Sequence, residues 1–234
     1  MFPMAKEAIL DALAVLFPVD CAGCEAPDRV LCPACFALFR GPVVEQVTAS
    51  GVSVASAARY EGVVRAVLLA VKEKARTDAA RRLGSAFRSA INHAASGSTS
   101  GVEVCPIPSS RDALRRRGFS PVEVLLRAAG LRAARVLRHT GSVVEQKLLG
   151  RSERESNLHG SFSARGSLVG RRFVIVDDIL TTGATIGEAA RAIRAAGGDV
   201  AGAATLAFTP RRGGTRGTVG ESAGDIHRYE GYGG

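Results

Sequence analysis

One uninterrupted stretch, Phe173 to Ala196, limits the folds open to this chain more than any other. Phe173 to Val176 is an apolar, β-branched run without polar alternation, the pattern of a strand buried on both faces of a parallel sheet. Asp177 and Asp178 follow at once and are expected to mark the strand's exit, and Thr181 to Thr185 lead into a helical run predicted over Ile186 to Ala196. A strand delivered directly into a helix is the repeating unit of an α/β fold, in which ligands gather at the carboxyl edge of the sheet. The helix start offers unpaired N–H groups and a positive dipole end that suit a phosphate. Gly183 lets the backbone approach it, and the hydroxyls of Thr181, Thr182 and Thr185 can donate to it. Two adjacent carboxylates suit the hydroxyls of a sugar. A plain strand with an acidic cap would account for the acids, but not for the acids and the hydroxyl-rich glycine turn together. No Gly-x-x-x-x-Gly-Lys-Ser/Thr occurs, and no Gly-x-Gly-x-x-Gly follows a strand-like run, which disfavours a nucleotide P-loop or a dinucleotide fold.

Near the other end, Cys21-Ala-Gly-Cys24 and Cys32-Pro-Ala-Cys35 form two Cys-x-x-Cys knuckles with seven residues between them. Four thiolates can close around one tetrahedral Zn²⁺, and a site filled by four protein ligands leaves no position for an activated water, so such a metal is structural. Two redox pairs or disulfides are the alternatives, and a reducing compartment argues against the second. Cys105 lies in an apolar strand-like run and reads as a core residue.

The remaining composition bounds the partners. No apolar run approaches the roughly 20 residues of a membrane span, and Lys6, Glu7 and Asp11 interrupt the apolar N-terminal stretch, so a soluble, cytoplasmic protein is expected rather than an exported one. Ala5 to Phe17 has apolar residues at helical spacing and is expected to pack on the next module. A formal net charge of +9 allows polyphosphate or nucleic-acid partners. The chain has no Trp and no interleaving of basic and aromatic residues, which a single-strand-binding surface normally shows.

Along the chain, Gly41-Pro42 suggests a linker and Val52 to Tyr60 a first strand. Helices are predicted over Gly62 to Lys74 and Asp78 to Ala95, and a strand over Val102 to Ile107. Ser109 to Ser120 reads as a loop that gathers Arg111, Arg116 and Arg117, and Pro121 opens a helix to about Ala129. Residues 139–160 read as a long polar loop, a β element is expected near Ser161 to Ala164, and Val200 to Phe208 supplies another strand. Residues 1–45 are expected to hold an N-terminal helix and the cysteine module, 50–211 the main domain, and 212–234 a disordered tail. His93, His139, His159 and His227 show no ligand-like spacing.

The segment Val174 to Ile186 closely resembles the phosphoribosyl pyrophosphate (PRPP) motif of type I phosphoribosyltransferases. The resemblance implies that Asp177 and Asp178 hold the ribose hydroxyls while Thr181, Thr182, Gly183, Ala184 and Thr185 cradle the 5′-phosphate. The wider set of landmarks resembles the ComF (competence-protein or amidophosphoribosyltransferase-like) family. These are the cysteines, Tyr60-Glu61-Gly62 with Lys72, Pro106-Ile107-Pro108 before Arg117-Gly118-Phe119, and Gln146 with Arg151 and Asn157. Ser120 and Pro121 stand where that pattern usually continues Asn-Gln. The family implies a Rossmann-like parallel sheet flanked by helices, preceded by a small zinc-binding module. It also implies displacement of pyrophosphate from Mg²⁺-bound PRPP by a nitrogen acceptor. Lys72, Arg111, Arg116 and Arg117 are then the candidates for the pyrophosphate, with a solvated basic loop as the plainer reading of the arginines. Asp178 could alternatively serve as a general base toward the acceptor. Two rivals share these features: a non-catalytic PRPP- or nucleotide-binding regulator, and a DNA-uptake accessory protein acting on single-stranded DNA or through a partner helicase.

Overall fold

A computed structural model describes residues 19–95, 101–140 and 160–210. The N-terminal segment Ala5 to Phe17, most of the 139–160 loop with Gln146, Arg151 and Asn157, the tail 212–234, and His159 and His227 lie outside these residues.

A short helix α1 (Pro33–Ala37) closes the cysteine module and is followed by strands β1 (Val44–Val47) and β2 (Ser53–Arg59). Helices α2 (Gly62–Glu73) and α3 (Thr77–Ala94) then lead to β3 (Val102–Pro106), and α4 (Arg111–Arg117) and α5 (Pro121–Ala128) follow it. Strands β4 (Leu137–His139) and β5 (Phe162–Ala164) pair with each other, and β6 (Arg172–Leu180), α6 (Ala184–Ala195) and β7 (Asp199–Phe208) complete the order. The main sheet runs β1-β2-β7-β6-β3, with β2, β7, β6 and β3 mutually parallel and β1 antiparallel to β2. The expected mixed α/β architecture with a mostly parallel central sheet is thus present.

The apolar run of β6 is buried because helices cover both sides of it. Val174 and Val176 face a cluster built with α2, α3 and α5, including Val67, Leu83, Phe87 and Leu125. Phe173 and Ile175 face the opposite cluster with Ile186 and Ile193 of α6. Each such fully buried Leu or Phe stabilises the fold by roughly 1.5–3 kcal/mol relative to exposure. Cys21, Leu31, Cys35 and Phe39 belong to the first cluster, so the cysteine module shares its core with α2 and α3. Gly84 lets α3 and α5 touch: a Cβ there would stand 2.3 Å from the Ala128 carbonyl carbon.

Three local expectations need correction. β6 does not end at the acids but continues through Asp177 and Asp178 to Leu180, because Asp177, Ile179 and Leu180 keep their register with Thr205, Ala207 and Phe208 of β7. The arginine-rich stretch is a helix, α4, rather than a loop. The Ser110 side chain caps it by accepting from Ala113 N–H at 3.2 Å, and Gly118 ends it at φ +75°. His139, expected at the start of the polar loop, belongs instead to β4, which pairs with β5 (Phe162–Ala164).

Candidate functional site

The phosphate-type loop sits where β6 hands over to α6. Gly183 is the N-cap of α6 at φ +83°, and Thr182 Oγ1 accepts the Ala184 N–H at 3.3 Å. No acidic side chain occupies the first turn, so the positive end of the helix dipole is left uncompensated. Thr181 and Thr182 are exposed, and Ala184 and Thr185 are half-buried behind them.

Behind this loop lies a contact that the sequence did not announce. A Cβ on residue 183 would stand 2.5 Å from Thr48 Cγ2, and one on Gly187 would stand 2.7 Å from Ser50 Oγ. Thr48 is buried in the turn between β1 and β2, where its hydroxyl donates to Val52 O at 3.2 Å and accepts from Val52 N–H at 3.1 Å. It also shares a hydrogen bond with Ser50 Oγ at 2.9 Å. The hairpin therefore forms a stiff backing for the start of α6. Glycine is needed at position 183 both for its left-handed backbone and for the room that Thr48 takes.

The acid pair is asymmetric. Asp177 Oδ1 accepts the N–H of Asp178 at 2.8 Å. Burial, reinforced by the neighbouring Asp178 charge, pushes the Asp177 carboxyl up to about 8, against the pull of that N–H and of Lys72. Asp178 meets Lys72 Nζ, from the last turn of α2, at 3.1 Å. One level with Asp177 across the sheet, Thr205 of β7 and Ser56 of β2 continue a buried polar row, joined by a 2.8 Å hydrogen bond between their hydroxyls.

A cavity of about 280 Å³ opens on this arrangement, and its walls include Lys72, Ser109, Arg117, Asp177, Asp178 and Thr181. The carboxyl ends of β3 and β6, which are adjacent, thus deliver their following segments to one place. Of the basic candidates, Lys72 and Arg117 line the cavity, Arg117 with its Nε donating to Ala113 O at 3.4 Å. Arg111 and Arg116 are exposed on α4 and do not line it. His139, given no role from the sequence, places Nε2 3.0 Å from Pro108 O and so ties the β4–β5 ribbon to the cavity-lining loop. Glu188 of α6 holds the other strand of that ribbon, accepting from Phe162 N–H at 3.2 Å while Arg191 donates to both its oxygens at 2.7 Å. No short motif encodes either link. Cys105 is buried and its thiol is pushed up to about 12 by desolvation, which suits a core residue.

At the far end of α2, the sulfurs of Cys21, Cys24, Cys32 and Cys35 all lie within 4.8 Å of one another, with Cys24 and Cys32 at 3.7 Å. Tetrahedral Zn–S bonds of about 2.3 Å put sulfurs about 3.8 Å apart, so the cluster fits a metal such as zinc. Cys21 is buried, yet the amides of Cys32, Cys24 and Gly23 bring its thiol down to about 6, while burial and the surrounding sulfurs raise Cys35. Peptide N–H groups also point at the sulfurs, Cys32 N–H to Cys21 at 3.3 Å and Cys35 N–H to Cys32 at 3.4 Å. Such bonds favour thiolates, the form that binds a cation.

No helix among the described residues is long and apolar enough to cross a membrane. No curated protein matches the chain. Residues 114–219, from within α4 to beyond the end of β7, match the family model described as "Phosphoribosyl transferase domain", and the four-cysteine cluster precedes the matched stretch.

Proposed function

We propose that this protein binds PRPP with Mg²⁺ at the cavity above β3 and β6 and transfers the phosphoribosyl group to an acceptor, releasing pyrophosphate. The observation that carries this reading is the convergence of Asp177, Asp178, Thr181, Ser109 and Arg117 on one cavity. The 5′-phosphate takes the N-terminus of α6, with the hydroxyls of Thr181, Thr182 and Thr185 and the backbone at Gly183 and Ala184 around it. The ribose hydroxyls donate to Asp177 and Asp178, and the pyrophosphate extends toward Ser109 and Arg117. Arg111 and Arg116, exposed on α4 and outside the cavity lining, are further candidates for the pyrophosphate.

During transfer the bond from the anomeric carbon to the pyrophosphate oxygen breaks, and a bond from the acceptor nitrogen to that carbon forms through an oxocarbenium-like state. Mg²⁺, carried in with PRPP, supplies charge neutralisation on the leaving group. The protein's share is positioning and electrostatic preorganisation. Lys72 Nζ, 3.1 Å from Asp178 Oδ2, holds that side chain beside the cavity, where it is placed to accept a ribose hydroxyl.

The same proposal includes a structural Zn²⁺ in the cysteine cluster, a cysteine module distinct from the transferase domain, a ComF-type assignment and a cytoplasmic setting, supported by the thiolate-favouring geometry and by the landmarks in the sequence. A competence role with single-stranded DNA or a helicase has the net charge in its favour and no particular contact. Pyrophosphate release from PRPP, measured over purine, pyrimidine and amine acceptors, tests the reading. Release with one acceptor that disappears in Asp178→Ala is the expected result. PRPP binding without release across the panel would instead favour a regulator that binds PRPP and does no chemistry.

A further inference from the structure

A second cavity, of about 400 Å³, lies on the other side of the loop that follows β3, and its chemistry differs from that of the first. Both share Ile107, Pro108 and Ser109 as a common wall, but Asp177, Asp178 and Thr181 line only the first, whereas Glu123, Arg127, Arg135 and Arg165 line only the second. Three guanidinium groups thus meet one carboxylate. That carboxylate is already taken: Arg135 donates to Glu123 Oε1 at 2.6 Å and to Oε2 at 2.9 Å, a two-pronged pair that holds Glu123 below the usual carboxylate range. Arg127 and Arg165 make no side-chain hydrogen bond or ion pair among the described residues, although Arg127 is near enough to Glu123 to feel its charge. The cavity therefore carries an excess of two positive charges from three different elements, α5, the segment before β4, and the segment after β5.

Apolar side chains line the same cavity. Leu114, 46% exposed, is one of few large apolar side chains left open on the described surface, and Phe119 stands beside it. Pockets of this volume that combine apolar side chains with convergent polar groups take small molecules. Two unpaired forks of parallel N–H donors match the oxygens of a dianionic phosphate better than a single carboxylate.

We propose that this second cavity is a binding site for a phosphate monoester with a flat apolar body, held by Arg127 and Arg165 with its body on Leu114 and Phe119. Its occupant bears on the back of the loop whose front lines the first cavity. Two ties hold that loop, from His139 Nε2 to Pro108 O at 3.0 Å and from Ser109 to Ser120 Oγ at 3.3 Å. Occupancy of the second site therefore alters affinity at the first by pressing on Pro108 and Ser109. The coupling rests on the PRPP reading above; the binding site itself does not.

Phenyl phosphate titrated calorimetrically into the full chain, with and without saturating ribose 5-phosphate, tests the site. Binding is expected to persist in the presence of ribose 5-phosphate, to exceed that of inorganic phosphate, and to weaken at least tenfold in Arg127→Gln/Arg165→Gln. Glu123→Gln removes the opposing charge and is expected to tighten binding several-fold, a gain that a misfolded variant could not imitate. Displacement by ribose 5-phosphate would place the compound at the α6 N-terminus and overturn the proposal. No binding, or equal affinity in the double arginine variant, would do the same. If ribose 5-phosphate itself fails to bind while the arginine dependence holds, the phosphoribosyl reading fails and the second site stands.

Discussion

Lys72 Nζ lies 3.1 Å from Asp178 Oδ2, so the last turn of α2 sets a cation beside the acid pair at the end of β6. Lys72 also draws the Asp177 carboxyl downward, against burial and the charge of Asp178. Replacing it with Met, which keeps the stem's packing, removes that pull. Lys72→Met is expected to shift the pH dependence of PRPP binding toward alkaline values and to weaken binding at neutral pH about tenfold, or about 1.4 kcal/mol. Calorimetric titration over a pH series measures both, and an unchanged profile would detach Lys72 from the acid pair.

Gly183 faces Thr48 across a gap that leaves no room for a methyl group. Gly183→Ala is expected to lower stability by roughly 1–3 kcal/mol through the φ +83° backbone and the clash, and to weaken PRPP binding more than tenfold. Thr48→Ala removes the nearer clash, with Cγ2, but not the backbone strain, so Gly183→Ala should cost less in the Thr48→Ala background than in the wild type. A thermal-melt cycle over the four proteins reads this coupling. Strict additivity would mean that Thr48 does not restrict position 183.

These two contacts mark where the sequence was legible and where it was not. The buried strand, the acids, the glycine turn and the following helix could be read from adjacent residues, because one strand and one helix end bring them together. The cysteines were legible for the same reason of spacing. Thr48 was not, since it reaches Gly183 through the pairing of β1 with β2 and of β2 with β7, and neither pairing leaves a local pattern around Thr48. The strand's continuation past the acids was hidden likewise: polar Asp177 and Asp178 look like an end, and only β7 beside them keeps the strand going. Ser110 to Gly118 carries a helix cap and stop, but a dense run of arginines between them has the same composition as a solvated basic loop.

Asp177 lies at about 8 in the fold against 3.8 for an ordinary aspartate, so the folded chain keeps a proton that the unfolded chain gives up. The stability this group contributes is complete below about pH 4 and is lost as pH rises through about 8. Asn imitates the protonated acid. Asp177→Asn is therefore expected to melt above the wild-type temperature at about pH 9, with the difference shrinking as the pH approaches 4, even though its PRPP binding is impaired. A variant that melts lower at every pH would mean that Asp177 is ionised in the fold.

The cysteine module shares a buried cluster with Val64, Val67 and Leu83 of α2 and α3. A Cβ on Gly23 would stand 2.7 Å from Val63 Cγ1, which shows how closely the knuckle is seated on α2. Removal of a structural Zn²⁺ is therefore expected to destabilise the α/β domain with it. Metal analysis should give one zinc per chain, and a strong chelator, or Cys24→Ser, should lower the melting temperature of a single transition. A metal-free protein with unaltered melting would point to a thiol function instead.

In the proposed function, the acids at the end of β6 and the start of α6 form one ribose-phosphate site. Its most direct test is calorimetric titration of PRPP with Mg²⁺ into the full chain, beside Asp177→Ala/Asp178→Ala. The wild-type protein should bind at a single site, and the folded double variant should lose at least 100-fold in affinity, about 2.7 kcal/mol. Equal binding by both proteins, or none by either, would contradict the account.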